Sequence, residues 1–462
     1  MKELFREICL AITILTLPAQ LAQAQTRTVR VVTYNIEADI SGATAPLPGL
    51  IAPPGNPSNY QAGGVLEGIG EELLNGNAQP LDILALQETT SNPQTIAPIV
   101  TALNTFYGVA GMYTNSSYQA TESNGDTANG NGPNALVFNT RTVQLLASVP
   151  VDPPGGSAAL GSGSGELREV MRYKFAPAGV PVTASNTFYV YVSHYKSGTT
   201  GTDLTERSGE AAIIRTNEAI DLPANARVVY VGDYNITTSG ETSYQTILAT
   251  VSPNGIAQGG GIDVLNTNDN QNINWGASTT QTNLLAMETE HSYELEYRDD
   301  LQVMTTNVYY GTAGGLKYVP GTYHVFGNNG TTAYYGNIDN AANTSLANRL
   351  ATNGPVFIPA AQVFFDLTNA SDHLPVVADY TLPMPAPVIG EVSLAASNLV
   401  MTLTNCATNS VLTLLGTTNL ALPFSNWTVA ATSMAMGSTA VFTMTNVTGS
   451  NKACGIFILL EN

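Results

Sequence analysis

Apolar runs recur along the chain, and each ends on a polar residue. Thr28 to Ile36 (TVRVVTYNI) reads as a strand with a valine-rich buried centre, and Leu81 to Gln87 (LDILALQ) as the next. Residues 134–147, 186–195 and 227–234 repeat the pattern, and further strands are expected at 300–309 and 374–380. Residues 66–76 read as helix. Apolar positions at helical spacing over 204–221 predict another, with Arg207, Glu210 and Arg215 available for its wet face. Residues 39–65, rich in Gly, Pro, Ala and Ser, read as a long surface loop. Short antiparallel-like connections mixed with helix-sized ones predict an α/β layered domain rather than an all-β barrel.

The two ends break this pattern. Lys2 and Arg6 precede an apolar run at 8–19 and the small-x-small triplet Ala22-Gln23-Ala24, so residues 1–24 are expected to be a signal peptide. Secretion or periplasmic export follows. No other stretch reaches the roughly 18 apolar residues of a membrane span, so no transmembrane segment is expected. At the other end, Pro383, Pro385 and Pro387 punctuate a linker at 382–388. Residues 389–462 then carry short Val, Leu, Thr and Phe runs that read as a small β-sandwich holding Trp427. The division is therefore 25–381 for the main domain and 389–462 for an all-β accessory domain. Cys9 lies in the leader, and Cys406 and Cys454 are expected to form one disulfide.

Composition narrows the function classes. The chain is 44% hydrophobic and can bury a large core, so its 11% charged fraction indicates a surface of Asn, Thr, Ser, Gln and Gly rather than disorder. Sixteen Lys and Arg stand against 35 acids, a formal charge of -19. That balance disfavours broad electrostatic binding to nucleic acid or an anionic membrane. A divalent cation is a different matter, because it needs carboxylates and brings its own charge.

Candidate chemistry sits at the strand ends. Asn35 in TYNI and Glu88 in LQE offer an amide and a carboxylate suited to a hard cation. His194, in SHYKS, stands where a valine-rich strand turns polar and could donate to a phosphoryl oxygen. In GDYN, Gly232 permits close approach, and strand alternation places Asp233 and Asn235 on one side, able to position a water and a phosphate oxygen. Asp372 and His373, in SDHLP, directly precede another strand, and Asp300 in RDDL is available to orient His373. Singly, Asn35 reads as a turn cap and a lone histidine as structural; the signal lies in the set. His291 and His324 lack a partner at diagnostic spacing and read as surface or loop-packing residues. Arg172, Lys196 and Arg207 are candidates for phosphate contacts, since cations are scarce.

TYNI, LQE, SHYKS, GDYN, RDDL and SDHLP occur in the order shown by the endonuclease/exonuclease/phosphatase superfamily, which residues 27–380 resemble. The resemblance implies a four-layered α/β sandwich with two central mixed β-sheets. It implies Asn35, Glu88 and Asp372 at a metal site for Mg2+, or for Ca2+ or Mn2+, with Glu88 the principal carboxylate. It further implies that Asp233 orients or deprotonates the attacking water with Asn235 as partner, that His194 contacts the phosphate, and that His373 is paired with Asp300. Tyr234 stands where the superfamily often carries Phe. Asp299 offers a second carboxylate beside Asp300, and Asp300 is preferred because Arg298 then keeps the usual one-residue spacing.

The expectation is a metal-dependent phosphoric ester hydrolase in which water attacks a phosphodiester in line. Nucleic acid is the first substrate choice, because SHYKS followed by the loop 197–203 and Arg207 resembles extracellular bacterial nucleases. Phospholipid headgroups of the sphingomyelinase type and soluble phosphate esters are the alternatives. A noncatalytic surface or matrix-binding protein is the reading from a different class.

Overall fold

The structure is a computed structural model. It describes residues 25–37, 61–89, 92–116, 133–151, 167–250, 260–266, 287–291, 295–312, 314–331, 336–349, 357–384, 388–395, 398–404, 406, 411–417, 426, 428–434, 439–444 and 456–461. The expected signal peptide, Cys454, Trp427, Pro385 and Pro387, and most of the 39–65 loop lie outside these residues.

Two mixed sheets form the main unit. The first contains β1 (Gln25–Asn35), β4 (Ile83–Gln87), β5 (Tyr113–Asn115), β6 (Ala135–Asn139), β13 (Lys317–Tyr318), β14 (His324–Val325) and β15 (Val376–Met384). Its order is β13-β15-β1-β4-β6-β5, with β14 on β15, and β1 runs parallel to β4. A small hairpin, β2 (Leu73–Leu74) and β3 (Asn77–Ala78), stands apart from it. The second sheet contains β7 (Val143–Val151), β8 (Val170–Pro177), β9 (Phe188–His194), β10 (Val228–Asp233), β11 (Gly261–Asp263) and β12 (Asp300–Thr305), in the order β11-β12-β10-β9-β8-β7.

Why they stack is written in the strands. β4, β6, β9, β10 and β12 are buried at every position, so each sheet must be covered on both faces. Val190, Val192, Val229 and Val231 of the second sheet share a core with Val31, Ile83 and Leu84 of the first. The opposite face of the second sheet, with Tyr191, Tyr230 and Tyr234, packs on α3 (Gly201–Asp221) and α4 (Thr242–Leu248). Helices α1 (Gln61–Glu71), α2 (Ala97–Phe106) and α6 (Ala360–Ala370) bury Val65, Ile99 and Val363 in the first core. The short α5 (Thr306–Tyr309) closes β12. The layers are therefore helix, sheet, sheet, helix, as expected for a four-layered α/β sandwich.

Several boundaries differ from the sequence reading. Residues 134–147 are two strands, β6 and β7, separated by a turn and belonging to different sheets. Residues 72–76 leave α1 for the β2–β3 hairpin. The wet face assigned to α3 is the largest correction, since Arg207, Glu210 and Arg215 are all buried. Each has internal partners: Arg207 pairs with Glu241 at 2.9 Å, Glu210 accepts from Arg168 N and Lys196 N, and Arg215 joins Glu218 and Tyr230. A buried ion pair is tolerated only with such partners, which a helical wheel does not display.

The chain divides into two compact units, one of 28–176 with 184–382, the other of 1–27, 177–183 and 383–462. In the second unit, β16 (Val388–Ala395), β17 (Asn398–Thr404) and β20 (Thr439–Met444) form one sheet, and β19 (Thr428–Met434), β18 (Val411–Thr417) and β21 (Ile456–Glu461) another. Strict alternation on β17 and β20 turns Leu399, Met401, Leu403 and Phe442 into a core with Leu412, Leu414 and the buried Cys406.

Two features make stability predictions. Gly232 faces Ser193 across β10 and β9 with φ 154°, and a Cβ there would stand 2.0 Å from Ser193 O. Gly232→Ala should cost about 2 to 4 kcal/mol from strain and overpacking, measured by chemical denaturation; an unchanged midpoint would contradict the close approach. His324 places Nδ1 2.8 Å from Thr322 O and Nε2 2.8 Å from Glu72 Oε2, so both ring nitrogens face acceptors. Burial opposes a charged ring, but Glu72 outweighs it and raises the pKa above 6.5. The stabilisation is complete below the unfolded pKa and lost as pH rises through the folded one. His324→Gln should therefore destabilise more at about pH 6 than at about pH 9 in paired thermal melts.

Candidate active site

Register alone assembles half of the site. Asp233, at the end of β10, is paired with His194 on β9 and with Asp300 on β12, so three polar residues lie on one line across adjacent strands. On the other sheet, Asn35 ends β1 opposite Gln87, and Glu88 follows at once. Both sheets thus deliver polar residues to one rim. Asn35 joins them, its Nδ2 donating to Glu88 Oε1 and to Asp233 Oδ2, both at 2.9 Å.

Around this contact, His194 Nε2 lies 3.6 Å from Glu88 Oε1 and 3.5 Å from Asp233 Oδ2. His373 Nε2 lies 3.9 Å from the same Asp233 oxygen and 3.7 Å from Asp372 Oδ1, while its Nδ1 is 2.7 Å from Asp300 Oδ2. Asp233 Oδ1 accepts from Asn235 N at 2.9 Å. Among the described residues, positive φ at non-glycine positions occurs six times, and four are here: Glu37, Glu88, Asn235 and Tyr297. Strain of this kind costs roughly 1–3 kcal/mol per residue and persists where neighbours over-determine it.

The two imidazoles are pushed in opposite directions. Burial, with Arg168, His373 and Lys196 nearby, drives His194 well below the usual histidine value, so its ring is neutral. Burial also opposes a charge on His373, but Asp300, Asp233 and Asp372 override it and the ring holds its proton. Nδ1–H points to Asp300, and among the described residues no carboxylate lies within hydrogen-bond distance of Nε2–H. One neutral and one cationic ring beside the same carboxylate can serve as acceptor and donor to a single reacting group.

Carboxylates crowd the rim. Burial and Asp372 lift Glu37 to about 7, and burial with the nearby Asp233 and Glu290 carboxylates lifts Asp299 well above the usual range. Burial likewise raises Glu290 above the usual carboxylate range. So dense an acidic rim, with oxygen donors on Glu88 and Asp233, suits a divalent ion. The ligand atoms of Glu88, His194 and Asp233 lie within 4.8 Å of one another.

Not every sequence candidate converges as expected. Asn35 turns its NH2 toward the carboxylates because its Oδ1 accepts from Glu37 N at 3.0 Å. Asp372 stands beside His373 and Glu37, outside the Glu88, His194 and Asp233 group. Asn235 does not share a strand face with Asp233, because β10 ends at Asp233; its Nδ2 donates to Tyr195 O at 3.0 Å. Arg172 is a correction: it opposes Tyr191, on the sheet face away from His194, and bonds Asn217 and Asp221. Arg207 is another, being buried and bound to Glu241 and to the carbonyls of Lys196 and Gly198. Lys196 stays half-exposed, with Nζ 3.4 Å from Asp203.

Residues 287–291 bring members the motifs missed. Thr289 and Glu290 reach the acid pair and Asp300, and His291 is buried with its N donating to Asp372 O at 2.6 Å. His291 is therefore no surface residue, and burial lowers its pKa to about 4. His324 lies at the Glu72 ion pair instead. Only the acid-rich METEH stretch hinted at the former, and no spacing tied it to the strand ends.

No family model and no curated protein matches the sequence. Solved structures with similarity include the human Nocturnin catalytic domain with bound sulfate, at 16% identity over 78% of this chain and 98% of that one, TM-score 0.42. D. rerio TDP2 complexed with single-strand DNA product gives 11%, 76%, 98% and 0.40 in the same order. The endonuclease/exonuclease/phosphatase from Bacteroides vulgatus gives 16%, 77%, 99% and 0.39. Identities and scores of this size assign no role to a residue, so the site stands on its own geometry.

The His373 and Asp300 contact can be tested without substrate. Asp300→Asn removes the charge that helps hold the ring proton, so the NMR midpoint of the His373 ring should fall toward or below the usual 6.5. A midpoint that does not move would break the assignment.

Proposed function

We propose that this protein is an exported, divalent-metal-dependent phosphodiesterase. The carrying observation is the convergence of Glu88, His194 and His373 on one buried carboxylate, Asp233, with Asn35 donating to it from the other sheet. Export is supported by the charge, apolar run and small-x-small triplet of residues 1–24.

Glu88 and Asp233 supply oxygens, and neutral His194 a nitrogen, that would hold the ion, with Mg2+ the first choice and Mn2+ and Ca2+ next. When bound, such an ion neutralises the charge that builds on a phosphoryl oxygen. The remaining work belongs to the chain. Asp233, fixed by Asn35 and Asn235 N, positions a water and takes its proton. His373 offers Nε2–H to a phosphoryl oxygen, and Asp300 keeps the opposite nitrogen protonated.

Nucleic acid is the substrate class we place first, on SHYKS and the half-exposed Lys196. With Arg172 held by Asn217 and Asp221 and Arg207 by Glu241, Lys196 is the one of the three candidates left for a phosphate. Ends and flexible strands therefore suit this site better than a broad duplex footprint, in keeping with the -19 charge.

The decisive assay sets single-strand DNA, RNA, plasmid, sphingomyelin and bis-p-nitrophenyl phosphate side by side with each metal and with EDTA. Metal-dependent cleavage is expected, and Asp233→Asn should lower turnover by about 10²- to 10⁴-fold while the circular dichroism spectrum is retained. A panel with no metal-dependent turnover would sink the reading; selective sphingomyelin cleavage would replace nucleic acid by lipid.

A further inference from the structure

We propose that Thr289 is the positioning residue of the Asp300 and His373 pair, setting from one side chain and one carbonyl how the imidazole is presented to the reacting group. Its catalytic meaning rests on the phosphodiesterase reading above. Thr289 is fully buried, and its hydroxyl oxygen accepts from Asp299 N at 2.9 Å and from Asp300 N at 3.0 Å. A hydroxyl has two lone pairs and one hydrogen, so with both lone pairs engaged it can only donate further. Asp300 Oδ2 is left to His373 Nδ1, so the hydroxyl acts on the pair by fixing the backbone of Asp299 and Asp300.

Backbone contacts close the arrangement from the other side. Thr289 N donates to Tyr297 O at 2.9 Å, and Leu374 N, directly after His373, donates to Thr289 O at 2.6 Å. Glu290 forms isolated β-bridges with both Glu296 and His373. The stretch Thr289–His291 is thus a bridging segment held between the segment that carries Asp300 and the segment that carries His373. These two residues, 73 apart in sequence, meet at 2.7 Å with Thr289 bonded to both segments. A β-branched side chain has few χ1 wells, so the hydroxyl is fixed once the segment is seated.

The alternative is that Thr289 only fills space. Thr289→Val keeps the shape and removes the hydroxyl; Thr289→Ser keeps the hydroxyl and removes the methyl. The hydroxyl role predicts a downfield His373 Nδ1–H proton signal in the parent and the serine variant, shifted upfield or lost in the valine variant at the same pH. It also predicts that kcat falls about tenfold to a hundredfold in the valine variant with KM unchanged, and that serine restores most of it. Should the valine variant not fold, Thr289→Ala carries the same comparison, since its smaller side chain admits water to the two N–H groups. An unaltered Nδ1–H signal without the hydroxyl, or a serine variant no better than valine or alanine, overturns the proposal. If no phosphoester is cleaved even by the parent, the NMR comparison still decides the positioning role, and only the functional reading fails.

Discussion

The structure depends on keeping the Asp233 carboxylate buried at the place where the two sheets meet. A carboxylate removed from water is costly unless its oxygens are bonded, by several kcal/mol for an uncompensated charge. Both sheets contribute to that requirement. The second sheet supplies Asn235 N at the strand end, and the first supplies the Asn35 amide across the gap. The Asn35 bond therefore acts as a polar pin between the layers at the rim, as Gln302 does inside the core by donating to Val31 O and Val376 O. Apolar packing fixes the spacing of such layers, but a directional bond fixes their slide.

A second consequence is the unequal treatment of the histidines. His194 and His373 approach the same oxygen, yet one is flanked by Arg168 and Lys196 and the other by Asp300 and Asp372. Burial opposes a charge on both rings, and what stands behind each decides the outcome: cations add to burial at His194, while Asp300, with Asp233 and Asp372, overrides it at His373. Burial, with these acidic surroundings, lifts Glu37, Glu290 and Asp299 above the usual carboxylate range. The chain's few cations are handled likewise. Arg30, Arg207, Arg215 and Arg298 are each buried against a carboxylate, which leaves an acidic exterior and a local site.

Much of this was legible in the sequence where the information is local. A valine-rich run ending in Asn35, His194 or Asp233 announces both a strand and the residue at its end, and Gly232 marks the close approach beside it. The misreadings share one cause. Arg207, Glu210 and Arg215 have helical spacing suited to a wet face, but their partners Glu241, Lys196 N and Tyr230 come from other elements. Asn235 was placed by extending an alternation past the residue where the strand stops.

By itself, then, the sequence determined the layered α/β class, the strand ends and the inventory of acids, amides and imidazoles. The tertiary structure decided which of them touch: Asp300 rather than Asp299 on His373, Arg172 and Arg207 turned away, and residues 287–291 inserted between two distant segments. The physical reason is range. Periodicity and turn chemistry act over a few residues, whereas hydrogen-bond partners and burial are set by strands that meet only after the chain has folded.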